Sequence, residues 1–482
     1  MKIHNGVILF FIVLFALFVR LYRINFPLGD WHSWRQADTA AVTRRYVEEG
    51  IDLLHPRYDD VSSIPSGLEN PNGYRMVEFP LINGVTALLY QKAPGVQSLE
   101  IHVFSRLVSI LFSLGSLLLL YLIVEMFSGN LEALFTAGVF ALLPYNIYYS
   151  RVVLPEVPLV FFILEAMYCT SSWLLEPKHS LNSWKFWVAA LSAATALLLK
   201  PYAIFLILSL LYETWRQCRW NFLKSKSTYV FLFIALAPFL LWRVWIRQFP
   251  EGIPAYAWLL NGNGIRFKGS FFQWLFADRL GRLILGYWGL VPFGLGLLVK
   301  PTTREGWFYR WWIFGILTYI IVFATGNVQH DYYQILTLPI ICIVVAKGLT
   351  FLLNPPKEFS RPIAYCLLLI APAFSLAFGW YHIRDYFNIN HPEIVEAGKA
   401  ANALLPKDAR VIAPYGGDTA FLYQTDRRGW PIGGSIEEKI KLGATHYISV
   451  NFDDETKKLM NSCSILQKTS TYAIIDLKTC QI

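Results

Sequence analysis

The sequence predicts a polytopic α-helical membrane protein of about eleven transmembrane helices, with a small extracytoplasmic α/β domain at its C-terminal end. Three observations carry that reading. The 482 residues are 55% hydrophobic and 16% charged, with a mean hydropathy of +0.41, whereas ordinary soluble domains carry about 25% charge. Several apolar runs approach or exceed the roughly 18–20 residues needed to cross a bilayer. The chain after about residue 381 changes texture, alternating short helical and strand patterns.

The spans fall at about 6–24, 102–126, 131–149, 154–174, 184–199, 201–215, 228–246, 281–299, 311–326, 334–353 and 362–380. The first run, from Gly6 to Phe18, is followed by Arg20 and by no small-residue cleavage site. It reads as a retained helix rather than a signal peptide. Residues 79–92 (FPLINGVTALLYQK) are apolar but too short to span, and fit an interfacial or re-entrant segment.

Charge orients the spans. With the N-terminus and Lys2 in the cytoplasm, the inside loops are 127–130, 175–184, 216–227, 300–310 and 354–361. They hold Lys178; Arg216, Arg219, Lys224 and Lys226; Lys300, Arg304 and Arg310; and Lys357 and Arg361. Apart from the very short first loop, each is basic, as the positive-inside rule requires. The net charge of +9 is thereby accounted for without nucleic acid. The outside segments are the first outer loop 25–101, residues 150–153, the turn at Lys200, the second outer loop 247–280, residues 327–333 and the tail. The domains are therefore 1–380, the transmembrane domain with its loops, and 381–482.

In the tail, HPEIVEAGKAANALL and SIEEKIKLGA have helical patterns, while ARVIAPYG, THYISVN and TYAIIDLK read as strands. Cys169, Cys218, Cys342 and Cys366 lie in or beside apolar runs, and no CxxC or Cys/His spacing suggests zinc. Cys463 and Cys480 flank a possible hairpin on the oxidising side of the membrane. A bridge and a pair of buried thiols both fit that spacing.

The unusual polar residues collect on the outer side. The stretch 27–50, PLGDWHSWRQADTAAVTRRYVEEG, leaves the first span carrying Asp30, His32, Arg35, Gln36 and Asp38. A surface-lying helix over 36–48, opened by Gln36, Asp38 and Thr39 and ended by Gly50, puts Arg35 and Asp38 on a shared face. Trp31 and Trp34 suit the interface. YRMVEFPL supplies Glu78. SRVVLPEVPL supplies Arg151 and Glu156 at the start of a span. LLLKPY supplies Lys200 at a helix end, and GNVQHDYYQ supplies His330, Asp331, Tyr332 and Tyr333.

Each has a plainer reading. Arg151 and Lys200 fit snorkelling anchors, Tyr332 and Tyr333 an aromatic belt, and His330 a structural histidine. Glu156 beside Pro155 fits helix-start amides. Five separated segments converging on one membrane face favour chemistry instead. A carboxylate can deprotonate a hydroxyl or bind a divalent cation, and Arg, Lys, His and Tyr can hold a departing phosphate. Aromatic-rich spans can bury a lipid tail. The combination points to transfer from a lipid-phosphate donor. No GxxxxGK[ST] loop for nucleotide triphosphates is present in the sequence.

The order of these motifs resembles that of the GT-C glycosyltransferases of the protein O-mannosyltransferase superfamily, on the bacterial branch that includes lipid A aminoarabinose transferases. The resemblance rests on WRQADTAAVTRRYVEEGIDLLHPRY, VEFPL, SRVVLPEVPL, LLLKP and HDYYQILTLP, and on the tail phrases LLPKDARVIAP and DRRGWPI. It implies inverting transfer of a sugar from a polyprenyl-phosphate donor to a lipid, glycan or protein acceptor. It also implies an integral protein of the bacterial plasma membrane, among membrane lipids. An acid of the first outer loop would be the base. The sequence departs from the family here, because the usual Asp-Glu pair falls on Arg35-Gln36. The base is then Asp38, on the helix, or Asp30 upstream, with Asp38 slightly favoured. Glu78 and Glu156 match acids that would hold a divalent metal ion. The Lys that often follows the first of them is Phe79 here. Donor phosphate binding falls to Arg35, Lys200, His330, Tyr332, Tyr333 and Arg151. Two other readings compete: a flippase or transporter of lipid-linked glycans, which should carry its polar features near the midplane, and an oligosaccharyltransferase or glycan ligase of the same fold.

Overall fold

The computed structural model describes residues 2–177 and 179–481. Lys178, one of the lysines assigned to an inside loop, and residue 482 of the tail lie outside the described residues. The chain forms two compact units: Met1–Ile24, Leu107–Arg243 and Tyr256–Asp385 in one, and Asn25–Arg106, Val244–Ala255 and Tyr386–Ile482 in the other.

The first unit is helical. Among the described residues, five stretches are long and apolar enough to cross a membrane: Ile101–Phe127, Glu156–Leu174, Lys226–Gln248, Asp331–Leu353 and the one opening with Arg361–Ile383. Four shorter apolar helices add to them, Asn5–Arg20, Asn130–Leu142, Trp184–Leu199 and Phe308–Val322. Several predicted spans are built in two pieces, and a proline or a glycine marks two of the joints. The predicted span 131–149 breaks at Leu143, before Pro144 opens a second helix to Tyr149. The span 201–215 is a 3₁₀ segment Pro201–Leu206 followed by the helix Ile207–Cys218. The span 281–299 is interrupted at Gly286 and Tyr287, both at positive φ (50° and 59°), and resumes as Leu290–Leu298. Pro cannot continue a preceding helix's hydrogen bonds, and a left-handed residue turns the chain out of one.

Leu338–Leu353 is the centre of this unit, since 89% of its apolar window is buried. It packs on Leu290–Leu298 and Asn130–Leu142. A Cβ on Gly296 would strike the Val344 carbonyl, and one on Gly348 the Pro292 carbonyl. Small residues here let backbones approach, as membrane helix pairs require. Two buried cations pin the bundle. Arg20, fully buried, donates to the carbonyl oxygens of Ala16 and Ala141 at 3.0 and 3.1 Å and to Ser113 Oγ at 3.3 Å. Lys347 donates to Glu305 at 2.6 Å and lies 3.4 Å from Glu132.

The second unit is a five-stranded mixed sheet with helices on both faces. Its strands are β1 Arg410–Ile412, β2 Arg428–Trp430, β3 His446–Ser449, β4 Ser464–Lys468 and β5 Ala473–Asp476, in the order β2-β1-β3-β5-β4. β1 is parallel to β2 and β3, while β5 is antiparallel to β3 and β4. Side chains alternate between faces. Val411, Ile448 and Ile474 therefore join Ile394, Val395 and Phe421 in one core, and Ile412, Tyr447 and Ile475 join Trp430 and Leu459 in another. Val61 belongs to the second core. Its amide donates to the Gly429 carbonyl, and the Gly429 amide to the Asp59 carbonyl, both at 2.9 Å. The first outer loop thus extends the edge of β2, and the tail shares its core with that loop, where the sequence predicted a boundary between them at 380. Cys463 and Cys480 are disulfide-bonded across the β4–β5 hairpin.

Candidate active site

Each unit carries a cluster of the residues singled out in the sequence. In the second unit the helix Ser33–Glu49 starts three residues earlier than predicted. His32, in the left-handed conformation (φ 55°), turns the chain into it, and Gly50 (φ 99°) ends it. Its first turns carry Arg35, Gln36 and Asp38, all buried. Asp30 is fully enclosed: Gln36 donates to one carboxylate oxygen at 2.9 Å, and Arg106 lies 3.2 Å from the other. Asp38 is also engaged at both oxygens, by Thr419 Oγ1 at 2.7 Å and by the Arg75 guanidinium at 2.8 Å. Glu78 pairs with Arg35, and its side chain keeps 12% exposure, against 5% for Asp38 and none for Asp30. Glu78 is the most accessible of the three acids.

Two further carboxyls crowd Asp38. Burial pushes the Asp60 carboxyl up to about 7, against the hydrogen bonds from Ser62, and the Asp38 charge adds to the rise. Asp418 is pushed up to about 6 by burial, with Asp38 contributing again. Burial disfavours the charged form of an acid, and a neighbouring like charge does so further.

In the first unit Glu156 opens its helix and lies 3.4 Å from Lys200 Nζ; their side chains are 4% and 9% exposed. Neither Glu156 oxygen has a hydrogen-bond partner among the described residues. The pair is dry, and longer than the 2.7–2.9 Å of a charge-assisted hydrogen bond. Lys200 sits over the Tyr202 ring at 5.7 Å, and Tyr202 donates to the Tyr333 hydroxyl at 3.2 Å. His330 stacks on Tyr332 and Tyr333, with ring centroids 5.4 and 6.1 Å away, and meets Trp258 edge-on. Asp331 accepts from the Tyr149 hydroxyl at 2.6 Å. Arg151 is fully buried, lies over Tyr148 and donates to the Arg23 carbonyl at 3.0 Å.

These positions bear on the plainer readings of four residues. A snorkelling anchor keeps its charge in water, yet Arg151 is fully buried and Lys200 is 7% exposed. Tyr332 and Tyr333 are likewise buried rather than arrayed as a surface belt. Sequence reasoning passed over Tyr202, Arg75, Arg106 and Thr419. Arg106 had a signal, a lone arginine in an apolar run. Thr419 had none, because it is 381 residues from Asp38.

Glu78 already faces the Arg35 guanidinium, and Glu156 the Lys200 ammonium. No group of three His, Cys, Asp or Glu side chains suited to a metal ion is found among the described residues.

Residues 100–245 match the family described as dolichyl-phosphate-mannose-protein mannosyltransferase. That match covers part of the chain, and the solved structures below share its fold. Nearly the whole chain superposes on ArnT from Cupriavidus metallidurans. With ArnT bound to undecaprenyl phosphate the TM-score is 0.64 at 15% identity over 97% of each chain. With apo ArnT it is 0.66 at 14% identity over 99% of this chain and 98% of that one. The oligosaccharyltransferase AglB from Archaeoglobus fulgidus, in complex with an inhibitory peptide and a dolichol-phosphate, has a TM-score of 0.59 at 10% identity, over 93% of this chain and 69% of its own. No curated protein matches in sequence.

Proposed function

We propose that the protein transfers one sugar from a polyprenyl-phosphate-linked donor to an acceptor hydroxyl at the extracytoplasmic face of the bacterial plasma membrane, with inversion at the anomeric carbon. The observation that carries this reading is the dry, loosely held Glu156–Lys200 pair with Tyr202 and Tyr333 around it. The acceptor oxygen forms its bond to the anomeric carbon while the bond from that carbon to the phosphate oxygen breaks. The acceptor proton goes to a carboxylate, and the carrier leaves as polyprenyl phosphate. Negative charge grows on that phosphate, and an ammonium preset in a dry site stabilises it most effectively. Lys200 supplies that charge, Tyr333 a hydroxyl, and the His330 and Tyr332 rings apolar walls. Arg151, in the same unit, is a further candidate for that phosphate.

Glu78 is the first choice for the base. A base must be within reach of the acceptor, and the Glu78 side chain keeps 12% exposure, against 5% for Asp38 and none for Asp30. This ranking reverses the one drawn from the sequence. No step is routed through a metal.

The test uses purified protein, a panel of polyprenyl-phosphate sugars and mass spectrometry of the products. Glu78→Gln, Asp38→Asn and Asp30→Asn are each assayed for transfer and for donor binding. The base variant loses transfer and keeps donor binding. Wild-type transfer by Glu78→Gln would return the role to Asp38 or Asp30. Absence of transfer from every donor by the wild type would remove the reading itself.

A further inference from the structure

A second polar hollow lies in the sheet-bearing unit, where the helix Ser33–Glu49 ends. Its volume is about 160 Å³, and Arg45, Tyr46, Glu49, Asp52, His55 and Arg57 line it. The local sequence, YVEEGIDLLHPRY, makes the bowl. Gly50 at φ 99° reverses the chain, the Tyr46 hydroxyl donates to the Asp52 carbonyl at 2.8 Å, and Asp52 Oδ1 accepts from the amides of Leu54 and His55 at 3.0 and 3.2 Å.

From this hollow we infer a subsite for a neutral sugar ring of the acceptor, which makes the acceptor a saccharide. The inference rests on the transferase reading and deepens it. Three features carry it. The polar groups stay partly open to solvent: the side chains of Asp52, Arg57, Glu49 and His55 are 59%, 40%, 38% and 32% exposed. They are nonetheless held in place. Arg428 bridges both Glu49 oxygens at 2.5 and 2.6 Å, His55 Nδ1 meets Asp52 at 2.8 Å, and two Arg45 nitrogens bond Asp59 at 2.9 and 2.7 Å. His55 is further wedged edge-on against Trp245 and Phe249. Ordering costs that a ligand would otherwise impose on these side chains are therefore already met.

Charge selects the ligand. Two guanidinium groups and two carboxylates cancel in the lining. A phosphate would gain Arg45 and Arg57 but be repelled by Glu49 and Asp52. A ring of vicinal hydroxyls, donor and acceptor at once, satisfies both kinds of group. The volume is below the roughly 300–1,000 Å³ of drug-sized ligand pockets, which suits one monosaccharide rather than an oligosaccharide or a lipid.

The probe is a set of methyl hexopyranosides with gluco, galacto and manno configuration. Binding to the purified full-length protein is read by saturation-transfer NMR. At least one glycoside binds the wild type. Arg57→Ala and Asp52→Ala each weaken it about tenfold, the scale of one lost hydrogen bond to a charged group, and Arg57→Ala leaves the melting temperature unchanged. Asp52→Asn, which keeps the turn, separates loss of the ligand contact from loss of the loop. Inorganic phosphate does not displace the sugar. Failure of every glycoside to bind, wild-type binding by Arg57→Ala and Asp52→Ala alike, or displacement by phosphate would overturn the subsite. Displacement by the polyprenyl-phosphate sugar would assign the hollow to the donor and overturn it as well. A protein that binds the glycoside but transfers from no donor would keep the subsite and remove the transferase reading.

Discussion

Asp60 sits 1% exposed beside Asp38, and its carboxyl titrates near 7 in the folded chain instead of at its ordinary 3.8. The folded state therefore holds a proton that the unfolded state has released between about pH 4 and 7. Stability tied to this group is present at low pH and is lost as pH rises through that window. Asp418, raised to about 6, acts in the same direction over a narrower range. Asp60→Asn replaces the protonated acid with a neutral amide, so its melting temperature relative to wild type should climb from pH 5 to pH 8. A constant difference would mean that Asp60 is charged in the folded protein throughout. Lys200 gives a second test. Lys200→Ala should lower transfer by on the order of 100–1000-fold when assayed below its own melting temperature, which also falls because Glu156 is left buried without its cation, whereas near-normal turnover would make the buried pair structural. Both members of that pair were legible in the sequence because each stands beside a proline at a predicted span end. The engagement of Asp38 was not legible, since Arg75 and Thr419 reach it from distant segments and no local pattern encodes them.

Helices and strands were read best where period and length agreed. The first surface helix, the Leu338–Leu353 span and three of the five strands appear close to where the pattern put them. Apolar composition hid the breaks, because a run such as 281–299 stays hydrophobic through a turn that only Gly286 and Tyr287 reveal. β2 and β4 were missed: β2 is a three-residue strand, and β4 is largely exposed, so its alternation is weak. The flanking cysteines still located the hairpin, and their bond gives a direct count. Under denaturing conditions four thiols should react without reductant, those of Cys169, Cys218, Cys342 and Cys366, and six with it. Closing a loop with a sequence separation of 17 stabilises by about 3 kcal/mol in the chain-entropy account. Cys463→Ser with Cys480→Ser should lower the melting temperature of the tail accordingly. Six reactive thiols without reductant would remove the bridge. In the helical unit, Lys347→Met should cost about 3–5 kcal/mol, because Glu132 and Glu305 would be left buried without their cation.

We predict the number of crossings from helix breaks and loop charge taken together. Among the described residues nine helices are apolar by length and composition, yet nine alternating crossings conflict with the loops. Five of them precede Lys226, so from a cytoplasmic N-terminus they would place Arg216, Arg219, Lys224 and Lys226 outside and the second outer loop, 247–280, inside. Basic loops remain on the cytoplasmic side. Counting Pro201–Leu206 with Ile207–Cys218 as one crossing, and the interrupted segment that resumes at Leu290–Leu298 as another, gives eleven and restores every loop to its expected side. Either count is odd, so both place the tail opposite the N-terminus, and a fusion at the tail alone does not separate them. We therefore predict the outcome of three fusions to a reporter active only outside the cytoplasm. After residue 382 it should be active, after residue 252 active, and after residue 222 inactive. Activity after 222 with none after 252 would restore nine crossings and move the second outer loop to the cytoplasm. Inactivity after 382 would put the tail, and with it the carboxylates of the loop 25–101 that share its core, on the cytoplasmic side and overturn the placement of the site.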